Sequence, residues 1–210
     1  MPTFARPQLK PRKTPVQARS SASVQAIHQA AIQVLLVGGK EKLTTTRVAQ
    51  RAGVSVGTLY QYYPNKSSLL QAVLRAHLER VYGAVVSACD EAKGKSLAEM
   101  TDCLITGFLF VKMQHVETSR ALYFISDDVG GIEIVRDHSV RGINAIATMF
   151  ASSPERLLED PHIVATTLMA AITGISRRMV ESGRLSPKIM QAMRHELGVL
   201  ARAYVQARIA

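Results

Sequence analysis

The sequence predicts an all-α chain, with three helices at the N-terminus joined through a long fourth helix to a larger helical domain. Three observations predict it. Apolar residues recur at three- and four-residue spacing along most of the chain, which places them on one face of a helix. Cap residues and helix stops fall at the ends of those stretches, as Ser-x-x-Glu, Asp-Pro, Ser-Pro and Gly-Gly. Strand signals are missing, with no alternating apolar–polar runs and no Asn-Gly turns.

Residues 1–17 hold four prolines and no hydrophobic periodicity, so they are expected to be a disordered basic arm. Lys10, Arg12 and Lys13, with Arg19 just beyond, suit a minor groove beside a main DNA contact. A tail with no binding role is the alternative. The first helix is expected over residues 18–37, with Val24, Ile27, Ala31, Val34 and Leu35 as its stripe and Gly38-Gly39 as its end.

Thr44 or Thr45 caps a short second helix, since a hydroxyl accepts from the orphan N–H groups of the first turn. Val48, Ala49 and Ala52 form its inward stripe. Gly53 follows where a left-handed conformation costs glycine little. Ser55 caps a third helix from Val56 to about Tyr62, with Leu59 and Tyr63 as buried anchors. Gly57 leaves room for the close approach of another backbone. Thr58, Tyr60, Gln61 and Tyr62 put hydroxyls, rings and one amide on the same short element. Pro64 stops it, because proline disfavours helix at the residue before it. Asn65 caps the fourth helix, and Lys66 sits in its first turn. Two short helices joined by a glycine turn make a helix-turn-helix, whose second helix is the usual reader of the DNA major groove. The plainer alternative is a pair of small helices within an all-α core.

The fourth helix is expected to run to about Ala92, with a broad apolar face from Leu69 to Val85, and Gly94 breaks it. Ser96-Leu97-Ala98-Glu99 is a capping box that opens a helix to about His115. Shorter helices are expected at 117–126 and 131–151. Asp160-Pro161 starts the next by cap and first-turn proline, Gly183 ends it, and Ser186-Pro187 starts the last in the same way. On that last helix Met190, Met193, Leu197, Leu200 and Tyr204 repeat at spacings suited to a packing seam. Its neighbour offers Leu168, Ala171, Ile175 and Met179. Two such helices from each of two chains would make a four-helix dimer interface; packing within one chain is the alternative.

Charge is strongly polarised. Residues 1–66 carry ten lysines and arginines against the single acid Glu41, and the remainder carries sixteen against fifteen. A basic segment attached to a nearly neutral one implies a polyanion binder joined to something else. At 210 residues the chain can bury a substantial core.

The stretch AGVSVGTLYQYYPNKSSLL resembles the DNA-binding signature of the tetracycline-repressor (TetR) family of bacterial regulators, over roughly residues 20–75. The resemblance implies a helix-turn-helix domain at 18–66 and a ligand-binding and dimerisation domain at 67–210. Thr45 and Thr46, with Arg47 beside them, fall at the contacting N-terminus of the second helix. Val56, Gly57 and Thr58 fall where base edges are met, with the cap Ser55 counted in the same DNA-binding set, Tyr60, Gln61 and Tyr62 on the aromatic cluster, and Lys66 on the phosphate-binding lysine. The family often carries an arginine, lysine or histidine in the reading set; here none is present, so no side chain of that helix makes the arginine-to-guanine fork. Gln61 suits adenine, and Thr58 or Val56 a thymine methyl. The expected partners are a palindromic operator, a second copy of the chain and a small-molecule effector of unread identity. Pocket candidates are Phe108, Met113, Tyr123, Phe124, Met149, Met169 and Thr173, though such a stripe also serves as plain core. Together these imply a repressor released from DNA by a small hydrophobic ligand; a DNA-binding regulator with no effector is the alternative.

Catalytic chemistry finds no support. The six histidines are scattered, and there is no HExxH, GxSxG, phosphate-binding loop or dinucleotide fingerprint. Asp127-Asp128 beside Gly130-Gly131 reads as a loop. No cofactor, metal or membrane association is expected. Cys89 and Cys103 form no CxxC and are read as reduced and buried. The N-terminus is polar and basic, without the apolar core of a signal peptide, and no apolar run is read as long enough to span a bilayer, so a cytoplasmic location is expected. A remaining reading is an all-α enzyme or carrier that keeps a vestigial basic head.

Overall fold

The computed structural model describes residues 18–123, 125, 130–183 and 186–210. Among the described residues nine helices form and no strand does: α1 (Ala18–Lys42), α2 (Thr45–Ala52), α3 (Val56–Tyr62), α4 (Lys66–Ala92), α5 (Leu97–Gln114), α6 (Val116–Tyr123), α7 (Gly131–Ala151), α8 (Pro161–Ser182) and α9 (Pro187–Gln206). The arm at 1–17, Phe124 and the Asp127-Asp128 pair lie outside the described residues.

Local capping chemistry sets most of these boundaries. Thr44 caps α2 by accepting from the Arg47 N–H, and Gly53 closes it at φ 68°. Ser55 caps α3 through the Thr58 N–H. Asn65 Oδ1 accepts from the Ser68 N–H at 2.8 Å and so opens α4. Both halves of the Ser96–Glu99 capping box are formed. Asp160 and Ser186 cap α8 and α9, each followed by proline in the first turn.

Two elements depart from expectation. Helix α1 does not end at Gly38-Gly39. It kinks there, with Gly39 at φ 66° and ψ −172°, and adds a turn to Lys42. Carbonyl groups of that turn accept from two cations outside the helix: Lys66 Nζ, 26 residues away, donates to Lys40 O at 3.4 Å, and an Arg47 guanidinium N–H, from the neighbouring α2, donates to Lys42 O at 3.3 Å. Helix α6 starts one residue earlier than expected and is described as far as Tyr123; its expected end at 126 lies outside the described residues.

The chain divides into two compact units. The first comprises the described residues up to His77 together with Ala121–Ile134. Its core is built from Ile27, Ala31 and Leu35 of α1, Leu43, Val48 and Ala49, Leu59 and Tyr63, and Leu69, Leu70, Val73 and Leu74 of α4, all buried. Helix α1 packs on α2, and α2 on α3.

The second unit comprises Leu78–Arg120 and Val135–Ala210. Its core gathers Val81, Tyr82, Val85 and Cys89 of α4, Leu97, Met100, Leu104 and Phe108 of α5, Ile146, Met149 and Phe150 of α7, Val164, Leu168, Met169 and Ile172 of α8, and Leu197, Ala201 and Val205 of α9. Helix α5 packs on α9, and α8 on α9. Helix α7 comes so close to α4 that a Cβ on Gly142 would meet the Tyr82 ring at 2.7 Å. Both cysteines are reduced; Cys89 is buried and Cys103 partly so.

Helix α8 is long and apolar enough to cross a membrane by length and composition, contrary to the reading that no such run exists. Its inner face, Val164, Ala165, Leu168, Met169, Ile172 and Val180, is instead packed into the core.

Candidate nucleic-acid interface

Helix α3 is pinned from beneath. Leu59 is fully buried and Tyr63 nearly so. The Tyr63 hydroxyl meets His28 Nε2 of α1 at 2.7 Å, a contact across 35 residues of sequence. Burial, with a smaller contribution from neighbouring Tyr62, pushes the Tyr63 phenol up to about 12, so it stays protonated and serves as an anchor.

With Leu59 and Tyr63 turned inward, Val56, Gly57, Tyr60 and Gln61 form the exposed outer face of α3. Thr58 and Tyr62 are half-buried at its margins. Two contacts steady the face. Ser55 Oγ lies 2.8 Å from Thr58 Oγ1, and Thr45 Oγ1 lies 3.1 Å from the Tyr60 hydroxyl. The second ties the N-terminus of α2 to the middle of α3. Gly57 is not required by the fold: it is not in the left-handed region, and a Cβ there would meet only Ser55 Oγ, at 3.7 Å.

On α2 the exposed residues are Thr46, Arg47, Gln50 and Arg51. Arg51 Nε donates to Gln33 Oε1 of α1 at 2.5 Å, and Arg47 is held by the Lys42 carbonyl. Lys66 is half-buried at the start of α4, with its ammonium directed to the end of α1. The structure therefore places every residue of the expected DNA-facing set in the first unit, on α2, α3 and the caps and first turn around them. Gln50 was not anticipated; its signal is the four-residue spacing from Thr46 on the face opposite Val48 and Ala49. The long-range contacts to His28, Gln33 and Lys40 carry no sequence signal. Chemically, the arrangement offers a small polar and aromatic ridge flanked by cations, suited to base edges between phosphates.

The second unit contains a narrow cavity. It is lined by Leu109, Lys112 and Met113 of α5, Val116 of α6, Ser176, Met179 and Val180 of α8, and Met190 and Leu197 of α9. Its free volume is about 20 Å³, roughly that of one water. Of the pocket residues expected from sequence, Met113 lines it. Phe108, Met149 and Met169 are in the core cluster, while the Thr173 hydroxyl donates to the Met169 carbonyl at 2.6 Å. Tyr123 is grouped with the first unit. Of the expected dimer seam, Leu168 and Leu197 are buried within the single chain. Ala171, Ile175, Met179, Met190, Met193 and Tyr204 are half-buried, and Leu200 is exposed. Ile163, Ile189 and Val199 on the same two helices are also exposed.

Comparison with known proteins gives two family matches. Residues 27–73 match the model described as bacterial regulatory proteins, tetR family, and residues 96–204 match the tetracyclin repressor-like C-terminal domain. The chain is 27% identical over 175 residues to an uncharacterized HTH-type transcriptional regulator of Mycobacterium bovis, covering 81% of this chain and 90% of that one. It is 30% identical over 90 residues, 41% of each chain, to the nucleoid occlusion factor SlmA of Haemophilus influenzae. Among solved structures, a TetR-family regulator from Mesorhizobium loti superposes with a TM-score of 0.75 at 16% identity, covering 92% of this chain and all of that one. The fatty acid degradation regulator FadR of Bacillus halodurans superposes with a TM-score of 0.62, also at 16% identity, over 85% of this chain and 97% of that one.

Proposed function

This chain belongs to the TetR family of bacterial regulators and is a DNA-binding transcriptional regulator rather than an enzyme; from that premise we propose that it is a cytoplasmic homodimeric repressor that reads a palindromic operator with α3 and is released by a small hydrophobic ligand. The observation that carries the operator reading is the outer face of α3, where Val56, Gly57, Tyr60 and Gln61 stand exposed over the buried Leu59 and Tyr63. One such head binds weakly, and a two-fold protein matches a two-fold site. The exposed Ile163, Ile189, Val199 and Leu200 supply the apolar surface for the second copy.

The test is selection of bound genomic fragments by the purified protein, followed by affinity measurement on the recovered sequence and on a scrambled control. An inverted repeat bound about a thousandfold tighter is expected. On that site Lys66→Ala should weaken binding to all sequences and lower the salt slope by about one. Gln61→Ala should relax preference at one base position by roughly 1–3 kcal/mol. Specific affinity unchanged by both substitutions would remove α3 from the groove.

Gly57→Ala separates fold from recognition. In the free protein the new methyl meets only Ser55 Oγ, at an ordinary contact distance of 3.7 Å, so thermal stability should hold or rise by about 0.5–1 kcal/mol. Against DNA the same methyl intrudes on the approaching base pair or backbone, and operator affinity should fall on the order of tenfold. Unchanged affinity would mean that α3 does not approach DNA at Gly57.

The narrowness of the cavity favours a second reading, a regulator with no effector. It predicts that no small molecule shifts operator affinity, which anisotropy on the recovered site would show.

A further inference from the structure

The turn that closes α1 is re-aimed by its glycines. Gly39 stands at φ 66° and ψ −172°, a backbone conformation open essentially to glycine alone. Leu43, at 1% exposure, anchors the far end of the turn in the core of the first unit. Lys40, Glu41 and Lys42 are left exposed. The Lys42 stem lies across Gly38, where an added Cβ would come within 2.6 Å of it. A stem already held loses less rotamer freedom when its ammonium meets a partner.

Each lysine of the turn stands beside a cation of another helix. Lys66 Nζ reaches the Lys40 carbonyl at 3.4 Å, and an Arg47 guanidinium N–H reaches the Lys42 carbonyl at 3.3 Å. Residues two apart on a helix are turned about 200° from one another. The turn therefore carries two pairs, Lys40 with Lys66 and Lys42 with Arg47, rather than one knot of four. These four cations share the corner with one carboxylate, Glu41, the single acid of residues 1–66. Like charges gathered this way repel one another, and a polyanion laid against them relieves the repulsion.

The corner is continuous with the outer face of α3. Arg47 lies two residues beyond Thr45, whose Oγ1 meets the Tyr60 hydroxyl of α3 at 3.1 Å. DNA whose base edges meet α3 would bring its flanking phosphates to that border.

We propose that the turn at residues 39–42 is a second element of the first unit that grips the DNA backbone, with Lys40 and Lys66 sharing one phosphate of the operator and Lys42 and Arg47 another. The assignment rests on the operator reading above and adds Lys40 and Lys42 to it.

Titration of the full-length protein against the recovered operator and its scrambled control, over a range of salt, tests it. Lys40→Gln and Lys42→Gln should each weaken binding to both DNAs and lower the salt slope by about 0.9, and the double variant by about 1.8, with base preference unchanged. Glu41→Gln should tighten binding to both. Lys95→Gln removes an exposed charge from the second unit and should leave the slope as it is. Phosphate-ethylation interference locates the contacts. Lys40→Gln should become indifferent to ethylation at the same phosphate as Lys66→Ala, and Lys42→Gln at a different one. An unchanged slope in the double variant, or a slope lowered as much by Lys95→Gln, overturns the assignment. The same measurements keep the two readings apart. An inverted repeat bound by the double variant with unchanged slope upholds the operator reading and overturns the grip. A lowered slope on unselected DNA, where no preferred sequence is recovered, upholds the grip and overturns the operator reading.

Discussion

Leu59→Ala is expected to lower the stability of the first unit by about 2–5 kcal/mol and to abolish specific operator binding. Leu59 is fully buried beneath α3, and α3 is only seven residues long. A helix that short has no stability of its own, so its position depends on tertiary anchoring. Removing the anchor leaves a cavity under the reading face and frees Tyr60 and Gln61 from a fixed orientation. Leu59→Met conserves volume and should cost less than about 1.5 kcal/mol, with operator binding retained. Urea unfolding followed by circular dichroism measures the first quantity, and anisotropy on the recovered operator the second. A Leu59→Ala variant that binds its operator with full affinity would show that α3 is positioned by its caps and the Tyr63–His28 contact alone.

Phe108→Ala is expected to cost about 3–5 kcal/mol in the second unit. Phe108 is among the largest fully buried side chains, at 1% exposure, and belongs to the cluster shared by α4, α5, α7, α8 and α9. The loss is comparable to the whole stability of a marginal domain. Thermal unfolding should show it as a fall in midpoint. A change below about 1 kcal/mol would mean that the surrounding helices collapse onto the gap, in which case the core is more deformable than its burial implies.

These two residues differ in how they could be read before the structure was known. Leu59 sits between Ser55 and Pro64, within one short punctuated helix, and its burial follows from spacing alone. Phe108 lies on a broadly apolar helix where several faces look alike. It suited a pocket wall or a core equally well, and the fold resolves it as core. Lys112 carried no signal at all, since one lysine on an amphipathic helix ordinarily marks the solvent side. Gly38-Gly39 looked like a helix end, yet α1 resumes after the kink, where Lys66, distant in sequence, and Arg47, five residues on from Lys42, donate to its last carbonyl groups.

By itself the sequence determined the all-α class, the helix-turn-helix with its caps at Thr44 or Thr45, Ser55 and Asn65, the Ser96–Glu99 box and the proline-led starts of α8 and α9. Each rests on hydrogen bonds or steric limits that act within about four residues, so neighbouring letters contain the whole interaction. Only the tertiary structure decided that Tyr60 meets Thr45, that Tyr63 meets His28, that Leu168 and Leu197 face inward, and that Lys112 stands beside three methionines from separate helices. Those outcomes depend on which helical face meets which partner. That choice is made by packing among elements far apart in the chain, where several apolar stripes compete for the same core.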